Sequence, residues 1–79
     1  MRSLNGYEYP APETEAPEIG TPYYLPSVAA SSLCVLQFWS GDSFDRKCLR
    51  VGLVHLTDVN AIAHTKAYIK ACGGEIWQN

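Results

Sequence analysis

Ser32-Leu-Cys-Val-Leu-Gln-Phe-Trp39, followed after Ser40-Gly-Asp-Ser by Cys48-Leu-Arg-Val-Gly-Leu-Val-His-Leu56, is the stretch whose reading decides the fold. The first run is dense in β-forming residues and ends at small turn-forming ones, the pattern of a strand running into a turn. In the second run Leu49, Val51, Leu53 and His55 share one face of an extended chain, and Cys48, Arg50, Gly52, Val54 and Leu56 share the other. Two such runs separated by a polar loop, residues 40–47, predict an antiparallel hairpin. A turn centred on Phe44 and Asp45 sets Cys34 directly opposite His55, with Cα atoms roughly 4.5–5.5 Å apart. The chemistry depends on that register, because a slip of one residue sends a side chain to the other face.

Downstream, Asp58 or Asn60 offers an N-cap, and residues 61–72 lack Gly and Pro. Ile62, Lys66 and Ile69 recur at helical spacing, as do Ala61, Thr65, Tyr68 and Cys72. Gly73-Gly74 supplies a left-handed C-cap, and Glu75-Ile-Trp77 reads as the start of a third strand. The order β-β-α-β predicts an α/β (α+β) fold, a small unit in which an antiparallel hairpin packs on one helix. Trp39 and Trp77 are expected as packing aromatics, Cys48 and Cys72 as core residues, and His64 as a solvated helix residue.

Upstream, residues 1–27 hold all five prolines, with Glu8, Glu13, Glu15 and Glu18 opposed only by Arg2. Proline fixes φ and removes a donor, so this segment is expected to be an extended or disordered arm without helix or central strand. Residues 28–79 then form the folded unit. About fifty ordered residues bury little apolar surface, which predicts a homodimer, a second subunit completing the unit, or a fragment or degenerate copy of a larger domain.

The totals narrow the function. The longest apolar run is far too short to cross a bilayer, and no basic start followed by an apolar run marks a secretory signal. A formal net charge of −2 gives no reason to expect nucleic acid or a membrane surface as partner. Three widely spaced cysteines, Cys34, Cys48 and Cys72, argue for a reducing compartment, so a cytoplasmic or nuclear location is expected. With no C-x-x-C pair, a zinc site would need the unusual set Cys34, Cys48 and His55, and neither metal nor organic cofactor is expected.

A thiol beside an imidazole has chemical meaning, since cysteine attacks as the thiolate and histidine can take its proton. Equally, a free cysteine is often a buried hydrophobe and a strand histidine often only a hydrogen-bonded one. Ser31 and Ser32 stand where hydroxyls could orient the imidazole or hold an oxyanion, or merely close a turn. Asp58 could orient His55 or cap the helix.

The segments Ala30-Ser-Ser-Leu-Cys-Val-Leu-Gln-Phe-Trp, Gly52-Leu-Val-His-Leu-Thr-Asp and His64-Thr-Lys resemble the protein N-terminal asparagine amidohydrolase family over about residues 30–74. The arrangement is also similar to the wider group of cysteine–histidine glutamine deamidases, including the chemoreceptor deamidases. The resemblance implies that Cys34 is the nucleophile, His55 its base, and Asp58 with Thr65-Lys66 the neighbouring acid and helix pair. It implies a thiol-dependent amidohydrolase acting on a side-chain carboxamide of a protein or peptide. Cys34 would attack the amide carbon, ammonia would leave, and water would hydrolyse the thioester. The alternative is a non-catalytic interaction protein, or a truncated relative, that binds a partner through its Pro-rich arm.

Overall fold

A computed structural model describes residues 2–75 of the chain. Strands β1 (Arg2–Leu4), β2 (Tyr7–Tyr9), β3 (Pro22–Pro26) and β4 (Cys34–Phe38) precede helices α1 (Ser43–Arg50) and α2 (Asp58–Ala71). The fold is α+β: two antiparallel two-stranded sheets, β1-β2 and β3-β4, with two helices.

The central strand is β3. On one side it pairs antiparallel with β4, Tyr24 opposite Leu36 and Pro26 opposite Cys34. On the other, the Tyr24 N–H donates to the His55 carbonyl at 2.8 Å and the His55 N–H to the Tyr24 carbonyl at 3.1 Å. Tyr24 thus commits both backbone groups away from β4. Pro22 and Pro26 have the same backbone phase, so their missing N–H groups interrupt no β3-β4 bond. That is how a segment so rich in proline enters a sheet.

Tyr23 and Leu25 point to the opposite face, where they meet Trp39, Cys48 and Val54 in the core, flanked by Leu49 and Leu53. The expectation that residues 1–27 hold no central strand is therefore corrected. Pro12 is buried too, and the Glu13 N–H donates to the Val54 carbonyl at 2.8 Å. The proline-containing segment is extended, and it closes one side of the core.

The predicted pairing of residues 32–39 with 48–56 is also corrected. Asp42 lies in extended backbone and its side chain accepts from the Asp45 N–H, an N-cap that starts α1. The helix ends at Gly52, whose φ of +84° suits glycine. There the Gly52 N–H reaches the Leu49 carbonyl and the Leu53 N–H the Cys48 carbonyl, at 3.2 and 3.0 Å, a Schellman closure. Of the residues expected to alternate on a strand, 48–50 belong instead to α1, 51–52 form its closing turn, and His55 bridges to Tyr24.

Helix α2 matches its expected span closely, with its N-cap at Thr57 rather than at Asp58 or Asn60. Its C-terminal turn closes through Gly73, φ +79°, with the Gly73 N–H on the Lys70 carbonyl and the Gly74 N–H on the Ile69 carbonyl. The predicted third strand falls largely on residues 76–77, outside the described residues, and Glu75 is not in a strand.

Leu33 has a φ of +64°, a conformation that L residues with a side chain occupy at a cost. It is held there because its N–H reaches the Ala30 carbonyl and its carbonyl accepts from the Thr65 hydroxyl at 2.6 Å. Leu33→Gly is expected to relieve this strain and leave stability unchanged or raised by up to ~1 kcal/mol, despite glycine's greater unfolded entropy. Urea denaturation checks it; a loss above ~1 kcal/mol would mean that the Leu33 side chain contributes more packing than its backbone costs.

Candidate functional site

The fold separates the two residues singled out for catalysis. Cys34 faces Pro26 across one edge of β3, while His55 faces Tyr24 across the other. By strand alternation both side chains lie on the same side of the sheet. A strand stands between them, however, and two inter-strand steps separate them by roughly 10 Å. The hairpin that would have set them opposite is not formed, so the thiol and imidazole are not in direct reach.

His55 is buried and already partnered. Its Nε2 lies 2.9 Å from His64 Nδ1, and the two rings meet edge to face with centroids 5.1 Å apart. Tyr9 stacks on His64 at 4.0 Å. Burial pushes the His55 pKa down to about 4, with repulsion from His64 adding to it, and burial lowers His64 as well. One neutral ring donates while the other accepts. His64, expected in solvent, is thus the inner partner of His55, and it joins β2 to α2.

The supporting residues are dispersed. The Ser32 hydroxyl donates to the Cys34 carbonyl at 3.0 Å, and Ser31 is exposed. Asp58 is exposed at the first turn of α2, where its carboxylate accepts from the Val59 N–H. Thr65 is buried, accepting from the Ser27 N–H at 3.1 Å and donating to the Leu33 carbonyl. Cys34 is half-buried, Cys48 buried and Cys72 exposed, all three as free thiols, so Cys48 is a core residue as expected and Cys72 is not. Cys34, Cys48 and His55 do not converge: among the described residues no group of three or more His, Cys, Asp or Glu could hold a metal ion.

Asp45 forms the second buried polar cluster. Its carboxylate accepts from the Tyr23 hydroxyl, from the Ser40 N–H and hydroxyl at 2.7 and 3.0 Å, and from the Gly41 N–H at 3.1 Å. Burial alone would raise its pKa, but the Tyr23, Ser40 and Gly41 bonds outweigh it and hold the carboxyl near about 2. The same pair, burial first and then the bond to Asp45, pushes the Tyr23 hydroxyl well above its usual value. This cluster ties the start of α1 to β3. Of its members only Gly41 also lines a cleft, and the geometry of the carboxylate serves the fold.

A feature with room for a ligand lies elsewhere. A cleft of about 610 Å³ opens between the proline-containing segment and α1, lined by Pro12, Glu13, Thr14 and Ala16 on one wall and by Arg46, Leu49 and Arg50 on the other. Arg2 and Trp39 also line it, and that volume is within the range of small-ligand sites. All three arginines of the chain therefore line one cleft. Arg46 and Arg50, four apart on α1, rise from one helix face. That relation was hidden while residues 48–56 were read as a strand, and Arg2 is brought in by β1 from the far end of the chain. In comparisons with known proteins, no family model, curated protein or solved structure matches the chain.

Proposed function

We propose that this chain is a non-catalytic interaction protein that binds a peptide segment of a partner in the cleft between residues 12–16 and α1. The observation that supports this reading is the convergence of all three arginines on an open cleft that also carries apolar surface from Pro12, Ala16 and Leu49. Apolar walls favour side-chain burial, and a few charged groups orient the ligand. The proline-containing segment contributes a wall of the site rather than a free recognition tail. Among the described residues no helix is long and apolar enough to cross a membrane.

Selection from a random peptide library tests the proposal. Peptides are expected to enrich on the natural protein and to be lost on Ala16→Trp, which fills the cleft from an exposed position. Equal enrichment on both proteins, or none on either, removes this reading.

The amidohydrolase reading is the rival, and it requires a thiol activated by histidine. Iodoacetamide labelling resolved at each cysteine discriminates the two. With His55 partnered to His64 and a strand away from Cys34, the labelling rate at Cys34 is expected to stay below that of exposed Cys72 and to show no specific loss in His55→Asn. Fast labelling of Cys34 that His55→Asn abolishes, with the fold retained, would restore the enzyme reading.

A further inference from the structure

Resting on the binding reading above, we infer that the arginine cleft recognises a phosphomonoester group, with Arg2, Arg46 and Arg50 as its charge partners and the Trp39 indole N–H as a further donor. Three features carry this. First, the chain is acidic overall, with 8 Asp and Glu against 6 Lys and Arg, yet its three arginines gather in one place. Glu13 is the single carboxylate residue among those lining the cleft. Second, those guanidiniums are uncommitted: none of the described side-chain hydrogen bonds engages them. Three like charges against the one Glu13 carboxylate leave the cleft with a net positive charge, and a dianion offsets it. Third, the body of Trp39 is packed in the core with 4% of its surface exposed, while its indole N–H is engaged by none of the side-chain hydrogen bonds among the described residues. No buried polar atom is left unpaired among the described residues, so that N–H sits at the solvent boundary. It lies beside Gly41, another residue of the cleft lining, where a built Cβ would be 3.8 Å from Nε1.

The residue types fit the chemistry. A guanidinium presents a rigid planar fork to two oxygens at once, and Arg is the side chain of choice for bidentate phosphate contacts. A phosphomonoester carries close to two negative charges near neutral pH and three acceptor oxygens, more than one carboxylate offers. α1 ends at this cleft, and although its closing turn uses the Lys47, Cys48 and Leu49 carbonyls internally, the negative end of the helix is an opposing charge that the guanidiniums outweigh. A long polyanion fits less well, because recognition of a nucleic-acid backbone uses many phosphate contacts and an extended basic surface. Glu13 on the opposite wall disfavours a second anionic group there and gives the bound group a direction.

The test follows the Trp39 indole N–H by two-dimensional NMR in a Trp77→Phe background, titrating inorganic phosphate, glycerol 1-phosphate and a phosphoserine peptide above neutral pH at matched ionic strength. Saturable shifts of the indole signal are expected with phosphate, weakened at least tenfold by Arg46→Gln combined with Arg50→Gln. Both positions are exposed, and circular dichroism verifies that the variant is folded. Glu13→Gln is expected to tighten binding several-fold, an outcome that damage to the fold would not produce. Shifts no larger than those from chloride, or unchanged affinity in the double variant, overturn the inference. A phosphoserine peptide binding more tightly than both small phosphates supports it together with the peptide-binding reading. Small phosphates binding as tightly as the peptide leave the phosphomonoester site standing and remove peptide recognition.

Discussion

Asp45→Ala is expected to lower the unfolding free energy by about 3 kcal/mol, the largest effect of any single polar substitution in this chain. The carboxylate is 3% exposed and satisfies the Tyr23 hydroxyl, the Ser40 N–H and hydroxyl and the Gly41 N–H. Removing it leaves a fully buried tyrosine hydroxyl and nearby backbone donors without partners, and each buried unsatisfied group costs about 1–3 kcal/mol. A domain of this size has roughly 4–12 kcal/mol in all, so the loss is a large share of the total. Asp45→Asn keeps the volume and an acceptor but loses the charge, and its cost should fall between zero and that of alanine. Urea denaturation of both variants provides the check. A loss under ~1 kcal/mol for Asp45→Ala would show that water replaces the carboxylate and that the cluster does not hold α1 to β3. Because Asp45 is held near about 2, its contribution is present above the usual carboxylate pKa and is lost only in strong acid, as pH falls through the folded value.

Acid should weaken the fold well before Asp45 is protonated, through the paired histidines. In the unfolded chain His55 takes up its proton near 6.5; in the folded protein it does so only near about 4. Between those values the unfolded state binds more protons, so stability rises with pH across the window and falls on acidification. For His55 alone the full window is worth up to about 3 kcal/mol, and the lowered pKa of His64 acts in the same direction. The contact at stake is the Nε2–Nδ1 bond under the Tyr9 ring, because two imidazolium rings cannot share it. The β1-β2 hairpin, which places Tyr9 on α2, is expected to loosen first. Denaturation midpoints at neutral pH and near pH 4.5, with NMR titration of the two imidazoles, measure this. An imidazole of His55 that titrates near its ordinary value, with no change in midpoint, would rule the coupling out.

Local chemistry was enough for some of this architecture. Residues 61–72, free of Gly and Pro and closed by Gly73-Gly74, could only be read as a helix, and α2 ends there as expected. The β-forming run beginning at Cys34 is a strand, and Trp39 and Cys48 are core residues. The mixed α+β class follows from these elements, because helix periodicity and strand alternation are properties of neighbouring residues. Whether the stretch from Cys48 to Leu56 was strand or helix was not so legible, since apolar residues at 49, 51 and 53 suit alternation while 44 and 48 suit one helical face. The Asp42 cap and the Gly52 closure put residues 48–50 in α1, while His55 beyond them bridges to Tyr24.

Strand pairing was decided by tertiary structure alone. A register is a contact between distant residues, and no local pattern showed that Pro22-Tyr-Tyr-Leu-Pro26 would displace the stretch around His55 as the partner of β4. Once β3 took that place, Cys34 and His55 fell on opposite edges of it, His64 turned inward to meet His55, and Arg2 reached the arginines of α1. The sequence by itself determined that residues 61–72 are helical and that the run from Cys34 is extended. Only packing, which rewards burial of Tyr23 and Val54 whatever their separation along the chain, decided which side chains meet.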